Sequence, residues 1–163
     1  MLIRLKNKDT LLLDDFIFRC SIGKNGIRIK KKEGDYCTPK GTFSLKTLYY
    51  RPDRVQKPET EIITKKISKN MGWCNDPKSK KYNSLINIKE KMRYEKIYRQ
   101  DHKYNFLIVI DYNLKKPIPH KGSAIFIHLT NNYKPTAGCI ALKEKDLLIL
   151  LKLVNKKTKI KIG

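Results

Sequence analysis

Apolar residues recur along the chain with two different periods. Residues 2–5 and 11–20 are strand-like runs, and Asn7-Lys8-Asp9 between them supplies turn residues, so a hairpin is expected. Residues 42–50 set Phe43, Leu45 and Thr47 against polar Ser44 and Lys46, the alternation of another strand. Residues 106–110 are wholly apolar and read as a buried strand. The stretch 125–142 reads as strand, polar loop, tight turn, strand. In 143–154 the period changes: Leu147, Leu150, Leu151 and Val154 share one face of an amphipathic helix. Residues 157–162 alternate Lys with Thr158, Ile160 and Ile162, a closing strand with one wet face.

The segments between are less regular. Asn25-Gly26 is a hairpin-turn signal. Residues 27–41 are basic and then rich in turn residues, a shaped loop. Residues 58–83 read as a long irregular excursion holding the only Trp, Trp73, either a core anchor or a cleft wall. Leu85, Ile88 and Met92 lie at helical spacing, so a short helix is expected within 84–100. There is no repeat and no linker. The expected fold is mainly β, a β-rich α+β sandwich or barrel with one packed C-terminal helix, as a single domain over 1–163.

Composition changes this picture little. A chain of 163 residues with 40% hydrophobic content can bury a core. The net charge is +22, yet Lys outnumbers Arg by 30 to 7, so the excess reads either as compositional background or as attraction to an anionic partner. Cys20, Cys37, Cys74 and Cys139 show no metal-knuckle or dithiol spacing; neither a metal nor a cofactor is expected. Gly23-Lys24 lacks the remainder of a phosphate loop. No run reaches the ~20 apolar residues of a membrane span, and no signal peptide is visible.

The chemistry concentrates at His128 and Cys139. His128 closes one apolar run, and Cys139 opens the next directly after Gly138, 11 positions on. A thiol and an imidazole on neighbouring strands are the minimal set for cysteine nucleophilic catalysis. An imidazolium at His128 would favour the thiolate, and amides at the Gly138 turn would hold an oxyanion. The alternative is a packed Cys and a hydrogen-bonded core His. Pro135-Thr136-Ala137-Gly138-Cys139 sets the thiol in a polar turn, a poor place for a packing residue. Tyr49-Tyr50-Arg51-Pro52-Asp53-Arg54 reads equally as a carboxylate clamp or as a loop closed by an Arg–Asp pair.

His128 followed by Thr136-Ala137-Gly138-Cys139-Ile140-Ala141-Leu142 resembles the motif of the YkuD-type L,D-transpeptidases, in a short single-domain proteobacterial branch. Further stretches carry the resemblance along the chain: Cys20-Ser21-Ile22-Gly23, Lys32-Glu33-Gly34-Asp35 with Thr38-Pro39-Lys40-Gly41, Tyr50-Arg51-Pro52-Asp53-Arg54, Gly72-Trp73-Cys74-Asn75-Asp76-Pro77, Gly122-Ser123-Ala124-Ile125-Phe126 and Pro135-Thr136. The resemblance implies a β-rich fold and a periplasmic acyltransferase of cell-wall biogenesis and cell shape. Its substrates would be peptidoglycan stem peptides, donor and acceptor, and carbapenems would inhibit it. Cys139 would attack the carbonyl at the L-centre of a diamino acid, with His128 as proton acceptor and donor. Some relatives use water instead, as carboxypeptidases or amidases. Two positions depart from the pattern: Ala137 stands for a second His, and Ala141 for an Arg that contacts substrate carboxylate. A backbone carbonyl is then left to orient His128, and Arg51 or Arg54 to supply the carboxylate contact. Tyr50, Trp73 and Thr136 complete the candidate substrate contacts. A basic nucleic-acid-binding module is the remaining reading from another class, with Tyr49, Tyr50 and Arg51 its faint basis; no nucleic-acid partner is expected.

Overall fold

The computed structural model describes residues 1–29 and 32–163. Lys30 and Lys31, in the basic half of the expected 27–41 loop, lie outside the described residues. In chain order the elements are β1 (Leu2–Lys6), β2 (Thr10–Leu13), β3 (Phe16–Ser21), β4 (Ile27–Arg28), β5 (Thr38–Pro39), β6 (Gly41–Tyr50), β7 (Thr64–Lys66), β8 (Met71–Cys74), β9 (Leu85–Asn87), β10 (Tyr94–Lys96), β11 (Phe106–Ile110), β12 (Phe126–Leu129), β13 (Ile140–Leu142), α1 (Glu144–Leu153) and β14 (Lys159–Ile162). The strands run β11-β12-β13-β3-β2-β1-β14-β6, and β6 pairs back onto β11, closing a barrel; β7 lies outside it on β6. The fold is thus β-rich with a single helix among the described residues.

Alternation explains which side chains go inward. β14 buries Ile160 and Ile162 and exposes Lys159 and Lys161. Leu147, Leu150 and Leu151 of α1 join Ile3, Leu11, Leu48, Ile108, Ile127 and Ile140 in one core. β11 is apolar on both faces because each face meets protein, and β12 departs from this at His128. Phe106, Ile108, Ile127 and Leu129 belong to this core, whereas Leu107, Val109 and Phe126 belong to a second cluster with Trp73, Tyr104 and Cys139. That second cluster lies between the outer face of β11–β12 and a small sheet of order β10-β8-β9.

Three expectations need correction. The run 11–20 is not one strand: it turns at Asp14, which has φ 49°, and β2 pairs antiparallel with β3. The excursion 58–83 contains β7 and β8. Residues 84–100 form strands β9 and β10 rather than a helix. Leu85, Ile88 and Met92 match a helical period by chance, while β8 offers both of its edges to extended neighbours, a tertiary gain that local spacing does not reveal. Among the described residues no helix is long and apolar enough to cross a membrane.

Candidate active site

The site is built on one strand pair. β12 and β13 run parallel, with Ile127 beside Ile140 and His128 beside Ala141. Ile127 and Ile140 point into the barrel. The alternate residues Phe126, His128, Cys139 and Ala141 therefore share the outer face. His128 and Cys139 line one cleft of about 330 Å³ between that face and the small sheet.

The turn before Cys139 is tied down at Thr136 and at Gly138. Thr136 Oγ1 donates to the Cys139 carbonyl at 2.6 Å and accepts the Gly138 N–H at 3.1 Å. Thr136 N–H donates to Ile22 O and its carbonyl accepts Lys24 N–H. Thr38 Oγ1 donates to the Gly138 carbonyl and accepts from Gly23 N–H, each at 2.9 Å. Gly138 has φ 140°, a conformation L side chains rarely adopt. A Cβ on Gly23 would come within 2.4 Å of the Tyr36 carbonyl oxygen. The stretches around Gly23 and Thr38 thus converge on the Cys139 turn. Gly138 serves that turn through its backbone conformation, and its own N–H is occupied by Thr136 Oγ1.

Cys139 is 8% exposed at the cleft wall. Its thiol donates to Ala124 O at 3.2 Å, and Phe126 N–H points at the sulfur at 3.4 Å. Ala124 has φ 54°, and its N–H is held by Asn83 Oδ1, which also accepts the Trp73 indole N–H. Among the described residues no disulfide is formed. Burial, and then Asp9, push the Cys20 thiol up to about 12. Of the four, Cys139 alone lines this cleft.

His128 Nδ1 lies 2.8 Å from the Leu129 carbonyl oxygen. A carbonyl only accepts, so Nδ1 carries the proton and a neutral ring keeps its lone pair on Nε2. Burial lowers the His128 pKa to about 4; Lys103 and Arg99 push the same way, against the Leu129 carbonyl. Burial thus favours a neutral imidazole at rest over the imidazolium expected from the sequence. Tyr104 packs edge-on against His128, 5.3 Å between ring centres, and its hydroxyl donates to Glu95. Burial first, then Glu95 and Cys139, hold that phenol well above its ordinary range.

The expected substrate contacts divide. Thr136 lines the cleft. Arg51, Arg54, Tyr50 and Trp73 do not. Arg51 is 2% exposed, fixed by Asp53 through Nε (2.8 Å) and Nη2 (2.7 Å), donating to Arg99 O, and stacked over Tyr98. Arg54 donates to the carbonyls of Gln100 and Asp101. Tyr50 is buried in the main core, and Trp73 is a core anchor, its ring edge-on to Phe126. The 49–54 segment is thus the loop closed by an Arg–Asp pair. Arg51→Ala is expected to lower the melting temperature by roughly 4 °C or more, in a thermal melt, with turnover per folded molecule near wild type; turnover lost at unchanged melting temperature would return Arg51 to the substrate.

Sequence reading singled out neither Arg99, Lys103, Tyr104 nor Glu95, and it quoted Glu33 and Asn75 only within stretches of resemblance, without a site role; all six line the cleft. They come from separate segments with no spacing in common, and only the pairing of β8 with β10 gathers Asn75 and Glu95. Arg99 is held bidentately by Asp101, whose carboxyl that guanidinium lowers to about 2. His102 bonds the Thr130 carbonyl, and His120 is exposed.

The model of the YkuD family, described as the L,D-transpeptidase catalytic domain, matches residues 3–162. No curated protein and no solved structure matches the chain.

Proposed function

We propose, on the premise that this chain belongs to the YkuD family of L,D-transpeptidase catalytic domains, that it crosslinks peptidoglycan stem peptides through a thioester on Cys139. One observation carries this reading: the Leu129 carbonyl fixes the proton on His128 Nδ1, on the strand face that His128 shares with Cys139. Nε2 is then left to take the thiol proton. The sulfur attacks the carbonyl at the L-centre of the donor's diamino acid. The tetrahedral intermediate collapses, the C–N bond breaks, and His128 returns the proton to the departing amine of the D-residue. An acceptor amine then attacks the thioester and gives its proton to His128, and the thiol is regenerated.

The departing residue carries a carboxylate. With Ala141 unable to bind it and Arg51 engaged inside, Lys103 and Lys134 at the cleft take that role. The catalytic unit spans 1–163 and works in the periplasm, where its polymer lies. The positive charge of the chain suits that carboxylate-rich polymer.

Incubating the purified protein with muropeptides tests the reaction. Crosslinked dimers are the expected product by mass. Trimmed monomers alone would convert the assignment to a hydrolase using the same pair, and an unchanged mixture would remove both. Intact-mass analysis after carbapenem treatment is expected to give one adduct per chain.

A further inference from the structure

We propose that Glu95, with Glu33 and the amide oxygen of Asn75, forms the subsite that takes the side-chain ammonium of the donor's diamino acid. The assignment rests on the acyl-transfer reading above and adds what selects the donor. Placement follows from the small sheet. Glu95 pairs with Trp73 across β10 and β8, and Asn75 lies two residues beyond Trp73. The three side chains therefore leave the same face. Trp73 marks the direction of that face, because its ring meets Phe126 of the barrel at 5.1 Å. Glu95 and Asn75 both line the cleft that holds Cys139 and His128. Glu33 reaches the same cleft from between β4 and β5, with Oε2 accepting from Ser123 Oγ at 2.8 Å and from the Tyr82 hydroxyl.

Two independent features leave this wall short of a cation. First, the chain has 37 Lys and Arg against 15 Asp and Glu, yet neither Glu33 nor Glu95 is in an ion pair among the described residues. Arg99, in the same cleft, gives its guanidinium to Asp101. Burial raises the Glu95 carboxyl, and the Glu33 charge adds to that rise, against the Tyr104 hydrogen bond and Arg99. A cation placed between the two carboxylates reverses that penalty. Second, Asn75 Oδ1 is buried with no hydrogen-bond partner, and of the three such side-chain atoms among the described residues it alone belongs to a residue of this cleft. An ammonium offers one positive charge and three N–H donors. The wall offers two carboxylates and one amide oxygen. A neutral amide or an anionic group at the same position would leave these acceptors opposed or unpaired.

The test uses two tetrapeptide donors that differ only at the diamino acid's side-chain amine, unmodified or N-acetylated, with acyl-enzyme formation followed by intact mass. The wild-type protein is expected to favour the amine-bearing donor by about tenfold or more in kcat/KM. Glu95→Gln is expected to bring the ratio close to one, and Glu33→Gln to lower it, so that either variant serves should the other not fold. Equal use of both donors by the wild type, or a wild-type ratio kept in both variants, would overturn the subsite. Acylation by neither donor, with no carbapenem adduct, would overturn the acyl-transfer reading itself and the subsite with it.

Discussion

Cys139→Ala is expected to abolish the carbapenem adduct and to reduce turnover on the order of 10⁴-fold or more, with the fold retained. On the proposed mechanism this substitution removes the nucleophile and with it the covalent route, and no other cysteine shares the cleft with His128. The structural loss is small by comparison. The sulfur gives up contacts with Ala124 O and Phe126 N–H, an effect of about 1 to 2 kcal/mol on stability. Cys20→Ser is the control, because that thiol is pushed up to about 12 and lies elsewhere; it keeps the single adduct. Denaturant melts of both variants, beside intact-mass spectra, check the claim. An adduct surviving in Cys139→Ala would remove the sulfur from the reaction.

The second large effect belongs to His128. His128→Gln is expected to slow acylation by roughly 10²- to 10⁴-fold, the usual worth of a positioned general base. Its pH signature is more specific. With a pKa lowered from 6.5 to about 4 by burial, the wild-type ring stays neutral well into acid. The acid limb of kcat/KM should therefore fall near pH 4 rather than 6.5. Stability moves in the matching sense. Between pH 4 and 6.5 the unfolded His binds a proton that the folded one refuses, so stability rises with pH across that window and is lost as pH falls through it. The full span is about 3 kcal/mol at most. The raised Glu95 carboxyl titrates the opposite way, so the quantity to measure is the difference between wild type and His128→Gln. A limb near 6.5 would mean an imidazolium beside the sulfur at rest, as the sequence suggests.

The readable parts of this protein are those whose partners lie close in the chain or whose pattern has one clear period. β14 and α1 carry such patterns, and the run 106–110 is apolar on both sides because both sides are covered. That His128 and Cys139 would sit on neighbouring strands was legible because two adjacent apolar runs flank a polar loop. Arg51 misleads for a physical reason: a guanidinium beside Tyr and Pro looks the same whether it faces solvent or a buried carboxylate, and here Asp53, two residues away, had the prior claim. The helix expected at 84–100 fails because β8, from a different segment, supplies hydrogen-bond partners that no local period records. The place of Glu95 at the cleft was invisible for the same cause.

The parallel alignment of β12 with β13 also sets how the gene can drift. Lengthening the connection at 130–135, which is exposed at Asn131 and Asn132, leaves the two strands in phase. Losing one codon inside 140–142 does not: with the rest of β13 held in register, side-chain order before the gap would invert, and the thiol would turn from the cleft into the barrel. Length variation among natural descendants should therefore collect before Pro135 and stop abruptly at Gly138.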